Sequence, residues 1–179
     1  GSNKGDYTAE VLHCYPIAEY HLFEPSATNV FILRQRFANL SHVKIHQFGL
    51  SDRAGVALLY SDSPGSGCAS LSPPGFSDGR VAPIPMTENI QTRRFDEFWR
   101  SRSIKEQIPI DYVKIDVEGH ELAVMKGFGD LIRQVRILQF EFGQKHIDTR
   151  TFFRDIWCYL IENQFSIYRL TPYGPERLL

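Results

Sequence analysis

No stretch of this chain stays apolar for the roughly 20 residues that a membrane-crossing helix needs. Nor does charge of one sign predominate: 20 Lys and Arg face 21 Asp and Glu, for a formal net charge of −1. That balance supplies no field to draw in nucleic acid or an acidic membrane, so neither is expected as a partner. Cysteine is scarce. Cys14, Cys68 and Cys158 are scattered, odd in number and without metal-ligand spacing. This argues against a disulfide framework or a zinc site and suits free thiols in a reducing, cytoplasmic setting. Internal repeats are lacking too, and no second domain is visible. The basic residues Arg93, Arg94, Arg100, Arg102 and Lys105 alternate with Asp96, Glu97 and Glu106, as on the solvated face of a helix. What remains is 179 residues, 42% hydrophobic and 13% aromatic, enough to bury the core of one ordinary domain.

The segment from Asp111 to Glu121 carries the most information. It opens as a short apolar run, ends in acids beside Gly119, and is followed by apolar residues at helical spacing from Leu122 to Phe128. That pattern predicts strand, loop and helix. Strand alternation places Lys114, Asp116 and Glu118 on one side and Val113, Ile115 and Val117 on the other. Three charges on one side of a strand otherwise built for burial are costly unless partnered. In open α/β sheets, ligands sit beyond the carboxyl ends of the strands, which is where Asp116, Glu118 and His120 fall. The plainer alternative is a buried ion-pair network that orders the core.

A second signal lies at the start of the sequence. Gly1 to Thr8, with Gly1, Asn3 and Gly5, is a glycine-spaced loop running into a helical stretch from Tyr7 to Tyr15. Such glycines let backbone approach a ligand closely, and a helix start offers unpaired N–H groups. The strand-like run from Glu19 then ends in Glu24 and Pro25. An acid about 20 residues past a glycine loop, at a strand tip, is placed to accept hydrogen bonds from a ribose diol.

Taken together, these residues resemble the FkbM-type family of S-adenosylmethionine-dependent methyltransferases. The Gly1–Thr8 loop is similar to its glycine motif, and Phe23, Glu24 and Pro25 to its ribose-binding motif. Gly49 to Asp52, followed by Gly55, resembles its third-strand turn. Ala69, Ser70 and Leu71 resemble the short motif of its long insertion. Phe95 to Phe98 is similar to the element before the fourth strand, Lys114 to Glu121 to its most specific string, and Gln139 to Phe142 to its fifth strand. The matches occur in family order over nearly the whole chain.

The resemblance implies an α/β fold, a Rossmann-like class I methyltransferase sheet with flanking helices. It implies S-adenosylmethionine as cofactor and O-methylation of a sugar, glycan or small-metabolite hydroxyl. It assigns Gly1, Asn3, Gly5, Glu24, Ser51, Asp52 and Asp116 to the cofactor. Asp116, Glu118 and His120 are the catalytic candidates, and Ser70, Leu71, Glu141 and His146 fall to the acceptor or its lid. The family has a central strand before the glycine loop and an antiparallel strand at its end. Neither is legible here, so both are expected to be missing and the 179 residues to be part of a larger chain.

Between the motifs, patterns alternate in the βαβ manner. Asn29 to Asn39 is expected as a helix with Val30, Leu33 and Phe37 inward, capped at Ser26 or Thr28. Val43–Phe48 and Val56–Tyr60 read as strands, Ser61–Pro85 as a long loop placed as a lid, and Arg94–Arg102 as a helix. Val135–Phe142 reads as the fifth strand, Thr151–Asn163 as a helix and Phe165–Leu170 as the sixth strand.

Methyl transfer from a sulfonium needs the acceptor oxygen held in line with the departing sulfur, and a base for the hydroxyl proton. Asp116 is the first choice for that base, the alternative being that it orients the amino acid end of the cofactor. His120 is the second choice, with capping or packing as its alternative, and His146 the third. His13, His21, His42 and His46 read as ordinary surface or core residues. Lys114 is expected to pair with Glu141 if the fourth and fifth strands are neighbours. Asp116, Glu118 and Glu141 also permit a magnesium ion, but Lys114 already supplies a positive partner, so no metal is assigned. Two other classes stay open. A nicotinamide-dependent oxidoreductase would share the glycine loop and Glu24 but needs a third glycine, and a scaffold would keep the fold without catalysis.

The implied topology also makes a geometric demand. With the central strand missing, Tyr20–Phe23 and Val113–Ile115 should not pair directly but leave a slot of roughly 9.6 Å, twice the usual strand spacing.

Overall fold

The computed structural model describes residues 1–73, 86–102 and 109–178 as a mixed α/β chain. Two parallel strand pairs position the regions of interest. Strand β1 (Tyr20–Phe23) pairs with β2 (Val43–His46), with Phe23 opposite His46. Strand β6 (Ile110–Ile115) pairs with β7 (Val135–Phe140), with Ile115 opposite Phe140. Between them in sequence, β3 (Gly49–Leu50) runs parallel to β5 (Met86–Arg93), which pairs antiparallel with β4 (Gly55–Ser61). No helix among the described residues is long and apolar enough to cross a membrane.

The strands β1 and β6 do not pair with each other among the described residues, as the slot requires. Their carboxyl ends are bridged by the glycine loop. The Ser2 N–H donates to the Phe23 carbonyl at 3.1 Å. On the other side, a Cβ placed on Gly1 would lie 2.0 Å from the Asp116 carbonyl oxygen. Only a residue without a side chain fits so close to the end of β6.

The helices follow the apolar spacing more than capping: Ser26 stands at a helix start, as expected, but its side chain makes no capping bond. Helix α1 (Asp6–Cys14) starts from Gly5, which is buried against Leu33 and Phe37. Helix α2 (Ala27–Arg36), started by Ser26, buries Val30 and Leu33, and Phe37 follows them inward. That face packs on Leu22 and Val43 of the first strand pair. Helices α3 (Phe95–Arg100), α4 (Glu121–Gly127) and α6 (Phe153–Glu162) enclose a larger core around Ile115, Met125, Phe128 and Ile156. Within it the Phe95 and Phe128 rings stack with centroids 4.0 Å apart. The Phe152 N–H donates to Asp155 at 3.0 Å, satisfying an orphan group at the start of α6.

Three expectations need correction. An antiparallel strand does follow Leu170, but in a hairpin of its own: β8 (Tyr168–Thr171) turns into β9 (Gly174–Arg177), which pairs with β8 alone among the described residues. Its polar, short and exposed sequence hides it from a hydrophobic pattern. Strand β5 was not expected, because only Ile90 and Thr92 are buried along a largely polar run. Strand alternation also stops at Ile115, since Glu118 (φ 55°) and Gly119 (φ 96°) turn the backbone left-handed. Asp116 and Glu118 are therefore presented by a turn and not by one strand face. Of the expected lid, residues 74–85 lie outside the described residues.

The ring of His46 is packed among Phe23, Phe48 and Phe98, and its Nε2 lies 2.9 Å from Nδ1 of His21. Burial, then the neighbouring His21 and Arg102, hold His46 down to about 4. An unfolded chain titrates this group near 6.5, so between those values it binds more protons than the folded one. Stability from His46 is thus complete above about pH 6.5 and is lost as pH falls towards about 4. Urea unfolding at pH 7 and pH 5 checks this: the wild type should lose more stability on acidification than His46→Phe, and equal losses would contradict it.

Candidate functional site

The carboxyl ends of β1, β3, β6 and β7 present three groups of polar side chains. The first centres on Glu24, which is only 5% exposed. A carboxylate removed from water needs donors, and this one takes them from backbone. Asn3 N–H donates to Oε2 at 2.8 Å and Ser26 N–H to Oε1 at 3.1 Å. The Asn29 amide adds a longer contact at 3.5 Å. Glu24 therefore ties the glycine loop to the start of α2. The side-chain oxygens of Asn3 and Asn29 are buried and have no partner.

The second group is the turn after β3. The Ser51 hydroxyl donates to Asp52 at 3.1 Å and lies 3.0 Å from Nε2 of His120, the residue that starts α4. With the hydroxyl proton directed at Asp52, His120 is the donor to Ser51. Burial lowers the basicity of His120, so its neutral form is favoured. Burial alone would raise the Asp52 carboxyl, but the Ser51 hydroxyl and Arg53 outweigh it and hold it low.

The third group surrounds a cavity of about 290 Å³ beyond β6 and β7, lined by Asp116, Glu118, Glu121, Glu141, Lys145, His146 and Asp148. Asp116 pairs with Lys114 at 2.5 Å, and the Lys114 ammonium also lies 5.1 Å from the centre of the Tyr7 ring. Lys114 is thus engaged by Asp116, not by Glu141 as anticipated. Glu141 lies beside Asp116, and like-charge repulsion from Asp116, then burial, raises its carboxyl against the weaker opposing pull of Lys114. The Glu118 carboxyl is raised as well, mainly by burial and then by Asp116 and Glu141. Among the described residues, no group of three or more His, Cys, Asp or Glu is arranged to hold a metal ion.

Two struts fix the turn that carries Asp116 and Glu118. Ser70, itself buried, donates its hydroxyl to the Glu118 carbonyl at 2.8 Å, while its backbone bridges Tyr60 on β4. Leu71, next to it, is half-buried. On the inner side, the Val117 N–H donates to Oε1 of Glu121 at 2.9 Å. The other Glu121 oxygen is 2.9 Å from Nε2 of His146, close but not aligned as a hydrogen bond. Both side chains are almost fully buried, at 1% and 3% exposure. His146 lies in the short helix α5 (Lys145–Asp148), and its Nδ1 accepts from Gly143 N–H at 3.2 Å. Gly119 completes the turn: its φ of 96° and the 2.9 Å that a Cβ would leave to the Lys145 carbonyl both require glycine.

The sequence-predicted residues thus fall into neighbouring clusters. Glu24 at the end of β1 binds the loop of Gly1, Asn3 and Gly5, His120 contacts the β3 turn of Ser51 and Asp52, and Asp116, Glu118, Glu141 and His146 meet at the cavity. Glu121 was missed, because an acid in the first turn of a helix reads as an ordinary partner of the helix dipole. Asn29 was missed as well, since its place at the start of α2 marks only a helix boundary.

A model of the methyltransferase FkbM domain matches residues 1–167, so the chain belongs to that family. Among solved structures it is similar to the crystal structure of methyltransferase FkbM from Methylobacillus flagellatus KT, at a TM-score of 0.60 and 16% identity. That similarity covers 99% of this chain but only 40% of the other. No curated protein matches.

Ser70→Ala removes the bond to the Glu118 carbonyl and should lower the free energy of unfolding by about 0.5–1.5 kcal/mol. Urea titration measures it, and an unchanged midpoint would show that this strut carries no stability.

Proposed function

We propose that the protein is an S-adenosylmethionine-dependent O-methyltransferase acting on a hydroxyl of a sugar, glycan or small metabolite. Membership of the FkbM family supports methyl transfer. The acid-lined cavity carries the finer reading, because its carboxylates lie at the carboxyl ends of a parallel strand pair and suit an acceptor rich in hydroxyl donors. We read the architecture as Rossmann-like, with the two parallel pairs as halves of one sheet. The three free, exposed cysteines suit a reducing compartment, and we place the protein in the cytoplasm.

The residues present fit the cofactor. Glu24 is a buried carboxylate, and beside it the Asn3 side-chain oxygen is an acceptor without a donor, which the hydroxyls of a ribose would supply. Gly1, lacking a side chain, lets the loop lie directly against the Asp116 carbonyl and so joins the cofactor loop to the acid turn. The cofactor, when bound, supplies an electrophilic methyl group on a positively charged sulfur.

The chain itself must position and deprotonate. Asp116 accepts the hydroxyl proton of the acceptor, which leaves the oxygen as the nucleophile. Lys114 orients Asp116 through their 2.5 Å contact. Glu118 and Glu141, both with raised carboxyls, accept or share hydrogen bonds from the remaining hydroxyls. His120, neutral and donating to Ser51, holds the β3 turn in place rather than taking the proton. Most of the rate gain comes from holding the acceptor oxygen in line.

Asp116→Asn should lower turnover by roughly 10²- to 10⁴-fold, the usual range for losing a general base, with cofactor affinity little changed. Transfer of labelled methyl to a panel of sugar and small-metabolite alcohols, alongside calorimetric cofactor titration, separates the two effects. A parallel fall in affinity and turnover would make Asp116 a binding residue and place the base elsewhere.

A further inference from the structure

Asn29 has no role in the reading above, yet its surroundings give it one. It sits in the first turn of α2 and is only 2% exposed. Its amide nitrogen points to Glu24 at 3.5 Å, which leaves its side-chain oxygen facing the other way. That oxygen is buried and accepts no hydrogen bond, and the same is true of the Asn3 oxygen on the other side of Glu24. The Asn3 backbone N–H and the Asn29 amide both converge on the Glu24 carboxylate. The protein's own donors are therefore spent on Glu24, and two amide oxygens remain unsatisfied next to it. Buried acceptors left in this state are costly, and native structures seldom keep them without a use.

The loop between β4 and β5 closes on the same spot. Gly65 (φ +70°) is so near that a Cβ there would lie 2.8 Å from the Asn29 oxygen, and a Cβ on Gly67 would lie 3.0 Å from the Asn3 amide nitrogen. A small pocket of about 110 Å³ adjoins Asn29, Gly65 and Ser66 on the side away from Glu24 and Asn3, which do not line it. A carboxylate flanked by two carbonyl oxygens accepts hydrogen bonds and repels anions, so the ligand group it suits is a neutral donor pair and not a phosphate.

We propose that Asn29 is a cofactor-binding residue. Its side-chain oxygen shares with Glu24 and the Asn3 oxygen the two protons that the vicinal hydroxyls of the ligand's ribose donate, and the Pro64–Cys68 segment covers them. This rests on the cofactor reading given above, and it adds Asn29 to the site as a residue that discriminates a diol from a deoxy or phosphorylated sugar.

Calorimetric titration of the full chain with S-adenosylhomocysteine and with its 2′-deoxy and 3′-deoxy analogues tests it. Wild type should prefer the diol over at least one deoxy analogue by about tenfold, the factor for one hydrogen bond of ordinary strength. Asn29→Ala should lose about that factor for S-adenosylhomocysteine but bind the same deoxy analogue as wild type does. Asn29→Ser, with thermal melts on both variants, serves if the alanine variant does not fold. Equal weakening for all three ligands, or no weakening, overturns the role of Asn29 and leaves the cofactor reading standing. Failure of wild type to bind S-adenosylhomocysteine overturns both.

Discussion

A carboxylate almost sealed from water holds the upper edge of this structure together. Glu24 draws two backbone N–H groups, from Asn3 and Ser26, out of segments that otherwise have little reason to meet. Both bonds are charge-assisted, and losing either would leave a buried anion short of donors. The glycine loop is thereby fixed against β1, and from that fixed position Ser2 bonds Phe23 while Gly1 reaches the end of β6. The two parallel pairs do not pair with each other among the described residues, so this loop is what connects their tips.

At the ends of β6 and β7 the problem is reversed, because acids there outnumber the cations that offset them. Lys114 satisfies Asp116, while burial and then Asp116 and Glu141 raise the Glu118 carboxyl, and repulsion from Asp116 and then burial raise that of Glu141. Such an arrangement survives only if the backbone carrying it cannot relax. Ser70 from the long loop and Glu121 from α4 grip the Asp116–Gly119 turn from opposite sides. Carboxyls kept raised in a pinned cavity suit the hydroxyl-bearing acceptor proposed for it.

Much of this was legible before any coordinates. Apolar spacing gave the inward face of α2 at Val30, Leu33 and Phe37, and the acids at the tips of β1 and β6 stood out because burial makes them expensive. Other features left no such trace. Strand β5 buries only Ile90 and Thr92, and β9 buries almost nothing, so neither shows an apolar period. The left-handed turn at Glu118 broke the strand alternation, and only Gly119 hinted at it. Glu121 and Asn29 escaped notice because their importance lies in contacts across the chain, to Val117 and His146 in one case and to Glu24 in the other. Lys114 had two acids within plausible reach, and residue spacing could not choose between them.

The central claim is that Glu24 and the glycine loop form the binding edge for S-adenosylmethionine. Its most direct measurement is calorimetric titration of S-adenosylmethionine, and separately of a nicotinamide dinucleotide, into the full chain and its Glu24→Ala variant. One binding site for S-adenosylmethionine, weakened by about 1–3 kcal/mol in the variant, is the predicted result. Unchanged affinity in the variant, or binding of the dinucleotide in place of S-adenosylmethionine, would contradict it.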